Sequence, residues 1–309
     1  MEIRKLTVIM IGLILTCLSL SSTALADGAR SYISPTGSDN RPCTRTQPCR
    51  TFDGAQVKTD AGGEIVAMDT GTYDPATVTK SITLAAAPGV DVAIRANAGN
   101  AVTISPNAGD IVVLRGLRLV GPGKNVAGTN GVLLDITSPN CCVSVHIENS
   151  IISDFDKGVQ IDLGVASLLL VSDTAFRSNK IGVNFSVGGA DSNGASITRS
   201  RFEKNEVGLL TFTGNSVTVS NSTAAGNGVA FQTDQGGKLD VVKSIITKNG
   251  AGVKTSGGGH LRIADCAITG NGTGVSTGLG IVSSMGNNMI INNDIDVAGT
   301  QNFLTFLPR

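Results

Sequence analysis

From about residue 145 onward the apolar and polar positions of the chain repeat. With Ile147, Val171, Ile197, Val219, Val241 and Ile263 taken as equivalent, successive copies stand 22 to 26 residues apart. Three residues beyond each reference comes a small side chain: Ser150, Thr174, Ser200, Ser222, Ser244 and Cys266. Five beyond it comes an apolar one, in Ile152, Phe176, Phe202, Ala224, Ile246 and Ile268. Eight beyond it, in all but the first copy, stands asparagine: Asn179, Asn205, Asn227, Asn249 and Asn271. A Gly followed by an aliphatic residue closes most copies, as in Gly182-Val183 and Gly252-Val253.

A period of this size marks a solenoid. Short strands alternate inward and outward, and a coil with one apolar face cannot bury it alone, so it stacks on its neighbours. Asparagines recurring at one bend are expected to hydrogen-bond along the stack and satisfy backbone groups there, with glycine supplying the left-handed turns. β-Branched residues prevail and the regular leucine pattern of a leucine-rich horseshoe is absent. The expected fold is therefore all-β, a single right-handed parallel β-helix with a short N-terminal helix cap.

Charge placement gives an independent test of this register, because like charges one strand spacing apart repel. Aligning the repeats sets Asp173 against Arg199, Lys243 against Asp265, Asp240 against Arg262 and Arg177 against Glu203, with a further column of Asp156, Lys180 and Glu206. Earlier coils are less regular. Their strands are expected at Glu64 to Met68, Ser81 to Leu84, Val92 to Arg95, Ala101 to Ile104 and Ile111 to Leu119. A solenoid must also plug its open ends. Thr51 is placed to cap a short helix running to Thr59, with Phe52 and Val57 covering the first coil. Phe303, Leu304, Phe306 and Leu307 are placed to cover the last.

Composition narrows the setting. The 24 basic and 24 acidic residues leave no net charge to draw the chain onto nucleic acid or an anionic membrane. Arg4 and Lys5 precede an uncharged apolar stretch from Leu6 to Leu20, and Ala24-Leu25-Ala26 has the small-residue pattern of a signal peptidase site. The apolar run is short of the roughly 20 residues of a spanning helix, and Thr16 argues against lipid attachment at Cys17. The expected product is a secreted or periplasmic protein starting at Asp27, with no membrane insertion after cleavage. The chain then divides into a signal peptide at 1–26, an N-terminal cap at 27–64, the β-helix at 65–300 and a C-terminal cap at 301–309.

Export removes Cys17 and leaves five cysteines. Cys43 and Cys49 flank a polar, proline-bearing loop and are the expected disulfide in an oxidising compartment. Cys141-Cys142 is open between a vicinal disulfide and two thiols. Cys266 occupies the small inward column and is expected to be a buried, inert thiol.

The segments Tyr32-Ile33-Ser34-Pro35-Thr36-Gly37, Pro48-Cys49-Arg50-Thr51-Phe52 and Gly62-Gly63-Glu64-Ile65, with Gly71-Thr72-Tyr73, resemble the opening of right-handed β-helix proteins of the pectate-lyase-like superfamily. With the repeats, the resemblance covers nearly the whole mature chain. It implies the fold, and function only broadly, since the superfamily includes lyases, glycoside hydrolases, epimerases and adhesins. The polygalacturonase-like signatures are not reproduced: there is no Asp-Asp pair, and Gly259-His260-Leu261 matches only half of the histidine element. No complete catalytic set is visible.

The candidate chemistry lies in the irregular middle coils. Long connectors, at Ser138 to Cys142 and Val187 to Asn193, should emerge on one side of the stack and wall a groove. Four residues after their paired glycines, Asp135 and Asp162 should stack in neighbouring coils without a compensating cation. Together with Asp191 they form a candidate cation or sugar contact, Ca2+ being the cation in question. His146 should face outward, and His260 has no assigned acid partner. Asn221-Ser222-Thr223 and Asn271-Gly272-Thr273 match the glycosylation pattern but fall within the repeat register. Two functions compete: a non-catalytic scaffold binding extracellular polysaccharide or a cell surface, and an acidic-polysaccharide lyase working at the acid cluster.

Overall fold

The computed structural model describes residues 28–136, 143–163, 167–186, 193–299 and 303–306. Within them the chain winds as a right-handed parallel β-helix. Each coil contributes one strand to each of three sheets, of 12, 10 and 10 strands. Sheet 1 takes strands such as Val143–Glu148, Ser167–Ser172 and Asn193–Thr198. Sheet 2 takes three-residue strands such as Ile151–Ser153 and Ala175–Arg177. Sheet 3 takes strands such as Asn130–Ile136, Lys157–Leu163 and Ile181–Phe185.

The register is the one the repeat predicts. Ile147 pairs with Val171, Val171 with Ile197, Ile197 with Val219, Val219 with Val241, and Val241 with Ile263. All six are buried, as is the apolar column of sheet 2 from Ile152 through Phe176 and Phe202 to Ile268. Phe176 and Phe202 stack with ring centroids 5.1 Å apart, and Phe231 meets Phe202 edge-on at 5.3 Å. These offset and edge contacts are the arrangements aromatic quadrupoles favour. The upstream strands also fall where expected, with Ile111 to Leu119 broken into Ile111–Arg115 and Leu117–Val120 by Gly116 at φ +70°.

Two polar ladders run inside the bends. In one, Asn205, Asn227, Asn249, Asn271 and the half-buried Asn293 each accept the backbone N–H of the asparagine one coil earlier, starting from Asn179. At the other bend, Ser150, Thr174, Ser200 and Ser222 each donate a backbone N–H to the next hydroxyl in the column. Cys266 continues that column. Its thiol donates to Val241 O and Ala264 O, and burial pushes its pKa up, which keeps it protonated. Asn271, half of a glycosylation tripeptide, is buried in the asparagine ladder.

Glycine supplies many of the left-handed turns, as at Gly116, Gly226 and Gly270. At one corner, however, they fall on Asn149, Asp173, Arg199, Asn221, Lys243 and Asp265, with φ between 47° and 55°. The paired glycines sit instead inside sheet 3, where the next coil crowds them: a Cβ on Gly182 would lie 2.4 Å from Gly208 O. The corners place their charged side chains outward, so that Arg199 grips Asp173 through Nε and Nη2 at 2.9 and 2.8 Å. The pairs Arg262–Asp240, Arg177–Glu203 and Lys180–Asp156 form as aligned.

The N-terminal end is capped. Thr51 accepts from Gly54 N and starts a helix spanning Phe52–Gln56, shorter than expected. Phe52 and Ala55 bury themselves over the first coil, whereas Val57, expected to do so, is 82% exposed. One turn of helix can face the core with only one side, and Val57 falls off that side. At the other end, Phe303–Thr305 adds a last strand to sheet 1. Phe303 packs against the core while Leu304 and Phe306 are exposed, because a strand directs alternate residues outward. Leu307 lies outside the described residues.

Candidate functional site

The connectors after Asn130–Ile136 and Ile181–Phe185 each leave a strand of sheet 3 and enter a strand of sheet 1. Beside those connectors, sheet 3 carries Asp135 on its outer face. Asp135 and Asp162 are direct partners across Asn130–Ile136 and Lys157–Leu163, so their Cα atoms stand one strand spacing apart, about 4.8 Å. Asp135 is exposed and forms no ion pair among the described residues. Ser105 precedes this column and Ser186 follows it, so no cation lies next in line. This departs from the ion-paired columns elsewhere on the surface.

The neighbouring outward column carries Gln160 and Asn184, which also pair in register. Both are buried, at 3% and 6% exposure, although they lie on the outer face of the sheet. Asn184 Nδ2 donates to Gln160 Oε1 at 2.7 Å, and Gln160 Nε2 donates to Ser186 Oγ at 2.6 Å. The chain of donors leaves Asn184 Oδ1 buried with no partner among the described residues. A buried acceptor without a donor is costly unless something supplies one.

The family match extends over residues 130–295, more than half of the chain, and is to the right handed beta helix region. The chain belongs to this right-handed β-helix family. No curated protein matches the sequence of this β-helix. Among solved structures it is similar to XylC in complex with xylose, at TM-score 0.57 and 10% identity, covering 83% of this chain and 68% of that one. It is also similar to an alginate lyase from Paenibacillus sp. str. FPU-7, at TM-score 0.52 and 16% identity, covering 89% of this chain and 99% of that one. Tailspike protein 2 of Escherichia coli O157:H7 bacteriophage CAB120 matches at TM-score 0.49 and 14% identity over 80% of this chain, which spans 40% of the tailspike. At these identities the likeness is one of fold.

The β-helix thus brings Asp135 and Asp162 into register, while Asp191, Cys141 and Cys142 lie outside the described residues. Among the described residues no group of three or more His, Cys, Asp or Glu is arranged to hold a metal. His146 is half-buried on sheet 1 and shares a 3.1 Å hydrogen bond with Ser144. His260 pairs in register with Lys238 and lines an open groove of about 330 Å³ with Asp240 and Arg262. Sequence reasoning missed Gln160 and Asn184. The available signal was two amides standing at equivalent outward positions in adjacent coils, at the place where the connectors lengthen.

Proposed function

We propose that the chain is an exported, non-catalytic polysaccharide-binding scaffold, and that its binding surface is the outer face of sheet 3 in the middle coils. The observation that carries this reading is the pairing of Asp135 with Asp162 beside the hydrogen-bonded Gln160–Asn184 amides. Carboxylates are groups a sugar's hydroxyls can donate to, and the buried amides beside them hold this face of the sheet in place through their own hydrogen bonds. A cation such as Ca2+ between the two acids would relieve their repulsion. Two side chains supply only part of its shell of six to eight oxygens, so water and the glycan would provide the rest. Carbohydrate-related neighbours of the same fold fit this partner, and the Cys43–Cys49 disulfide fits an oxidising destination.

The deciding experiment incubates the exported chain with uronate-containing polymers, with and without calcium, and follows both retention and unsaturated product. Retention without product is expected, weakened about tenfold in a combined Asp135→Asn, Asp162→Asn variant, as for loss of charge-assisted contacts. Product formed by the native chain and lost in that variant would replace the scaffold with a lyase acting at the same acids.

A further inference from the structure

We propose a second ligand site, separate from the acids of sheet 3: a cleft at the N-terminal end of sheet 1 that binds an anionic saccharide on Tyr32 and Arg45. The cleft has a volume of about 510 Å³ beside Arg30, Tyr32, Thr44, Arg45 and Glu64. It continues into a second hollow of about 330 Å³ over Val66, Met68 and Pro88, with Arg30, Tyr32, Arg45 and Glu64 lining both.

Charge identifies the ligand class. Arg30 pairs with Glu64 at 2.6 Å, Arg115 reaches the same Glu64 at 3.8 Å and takes Glu148 at 2.8 Å, so this column compensates itself. Glu64, with the Tyr32 hydroxyl beside it, holds the Arg30 guanidinium firmly charged. Arg45 adds one exposed cation that has no carboxylate partner among the described residues. A single unmatched guanidinium on the rim suits one carboxylate or sulfate, not a polyanion such as nucleic acid.

The fold also holds Arg45 in place. It rides on the loop closed by the Cys43–Cys49 disulfide. That loop is pinned to the first strand of sheet 1, where Tyr32 N donates to Cys43 O at 2.7 Å and Cys49 N donates to Tyr32 O at 2.9 Å. Preorganisation of this kind reduces the entropy lost on binding. Tyr32 is half-buried with its ring on the cleft, whereas the other tyrosine, Tyr73, is buried against Phe52. A ring and an apolar floor opposite a guanidinium match the C–H face and acid group of one charged sugar.

The test is calorimetric titration of the exported, disulfide-intact chain carrying Asp135→Asn and Asp162→Asn, so that the sheet 3 reading can fail or hold independently. The probes are tetragalacturonate, its methyl ester and a sulfated tetrasaccharide. Binding of at least one anionic probe is expected, about tenfold weaker in Arg45→Gln, as for loss of one hydrogen bond to a charged group. Tyr32→Phe should retain affinity and Tyr32→Ala should lose it, since the ring and not the hydroxyl is the platform. Preference between the carboxylate and the sulfate probe names the anion. Equal binding of the methyl ester, indifference to Arg45→Gln, or no binding of either anionic probe would overturn the proposal.

Discussion

Asn227 Oδ1 accepts two hydrogen bonds from Asn205, one from its backbone N–H at 2.9 Å and one from its side-chain Nδ2 at 3.0 Å. Asn227 in turn donates its own Nδ2 to Phe202 O at 2.9 Å, one coil back. The same Nδ2 also donates to Asn249 Oδ1 at 2.9 Å, so one buried carboxamide makes four hydrogen bonds at the bend. Asn227→Leu fills a similar volume but strips all four, and should destabilise by about 3 kcal/mol in denaturant unfolding, the scale of several stranded buried polar groups. Asn293→Leu, at the exposed end of the same ladder, should cost less than half as much. Equal losses at both positions would mean that burial does not set the cost.

The opposite sign is expected in sheet 3. Thr211, Thr233 and Thr255 stack in one inward column, each fully buried, with hydroxyls that find no partner among the described residues. Replacing such a hydroxyl by a methyl removes an uncompensated desolvation cost at nearly constant shape. Thr233→Val should therefore be neutral or stabilising by about 1 kcal/mol, a gain readable as a higher midpoint of chemical denaturation. A clear loss would show that a buried water or donor serves that column.

How much of this was legible follows from period and chemistry. The ladders were, because Asn and Ser recur at fixed offsets and a polar residue in an inward column has few explanations. The pairing of Asp135 with Asp162 was also readable, because glycines Gly131 and Gly158 fix the count in both coils. The burial of Gln160 and Asn184 was not, since outward amides normally face water. The left-handed corners at Gly226 and Gly270 follow the glycine expectation, but those at Arg199 and Lys243 were not legible, because a charged residue at positive φ carries no sequence signal. The cost of about 1–2 kcal/mol per such residue is met by stacking, which only the assembled coil reveals. The N-terminal cleft joins Tyr32, Arg45 and Pro88, residues that belong to no repeat.

The two acids of the N-terminal cap should respond to substitution in opposite ways. Partial burial raises the Asp39 carboxyl, but hydrogen bonds from Thr51 N–H, its hydroxyl and Arg50 N–H, with Lys58 nearby, bring it below the usual carboxylate range. A depressed pKa contributes stability that is present above the unfolded-state value and is lost as pH falls through the folded one. Protection from hydrogen exchange at Arg50 and Thr51, relative to the unstructured rate at the same pH, should therefore fall below about pH 4, and Asp39→Asn should reproduce this at neutral pH. For Asp53, burial dominates and raises the carboxyl despite the bond from Thr77 N–H at 2.8 Å. Its charged form is the disfavoured one, so its contribution is present at low pH and declines as pH rises through the raised value. Asp53→Asn should leave cap protection at pH 7 unchanged or improved. A loss equal to that of Asp39→Asn would contradict the account.

The disulfide offers a test of how stability is distributed along the stack. Cys43 and Cys49 are six residues apart, so their bond closes a short loop, for which chain-entropy arguments give about 2 kcal/mol. In a solenoid each coil touches only its neighbours, and a local loss should stay local. Replacing both cysteines by serine should speed amide exchange at Ile33, Ile65 and the helix Phe52–Gln56, which lie under or beside the pinned loop. Exchange at Val219, Val241 and Ile263, held between coils far down sheet 1, should be unchanged. If those late amides lost protection in step with the first coil, the molecule would unfold as one cooperative unit. The regular coils would then depend on the cap for their stability, not on nearest-neighbour stacking.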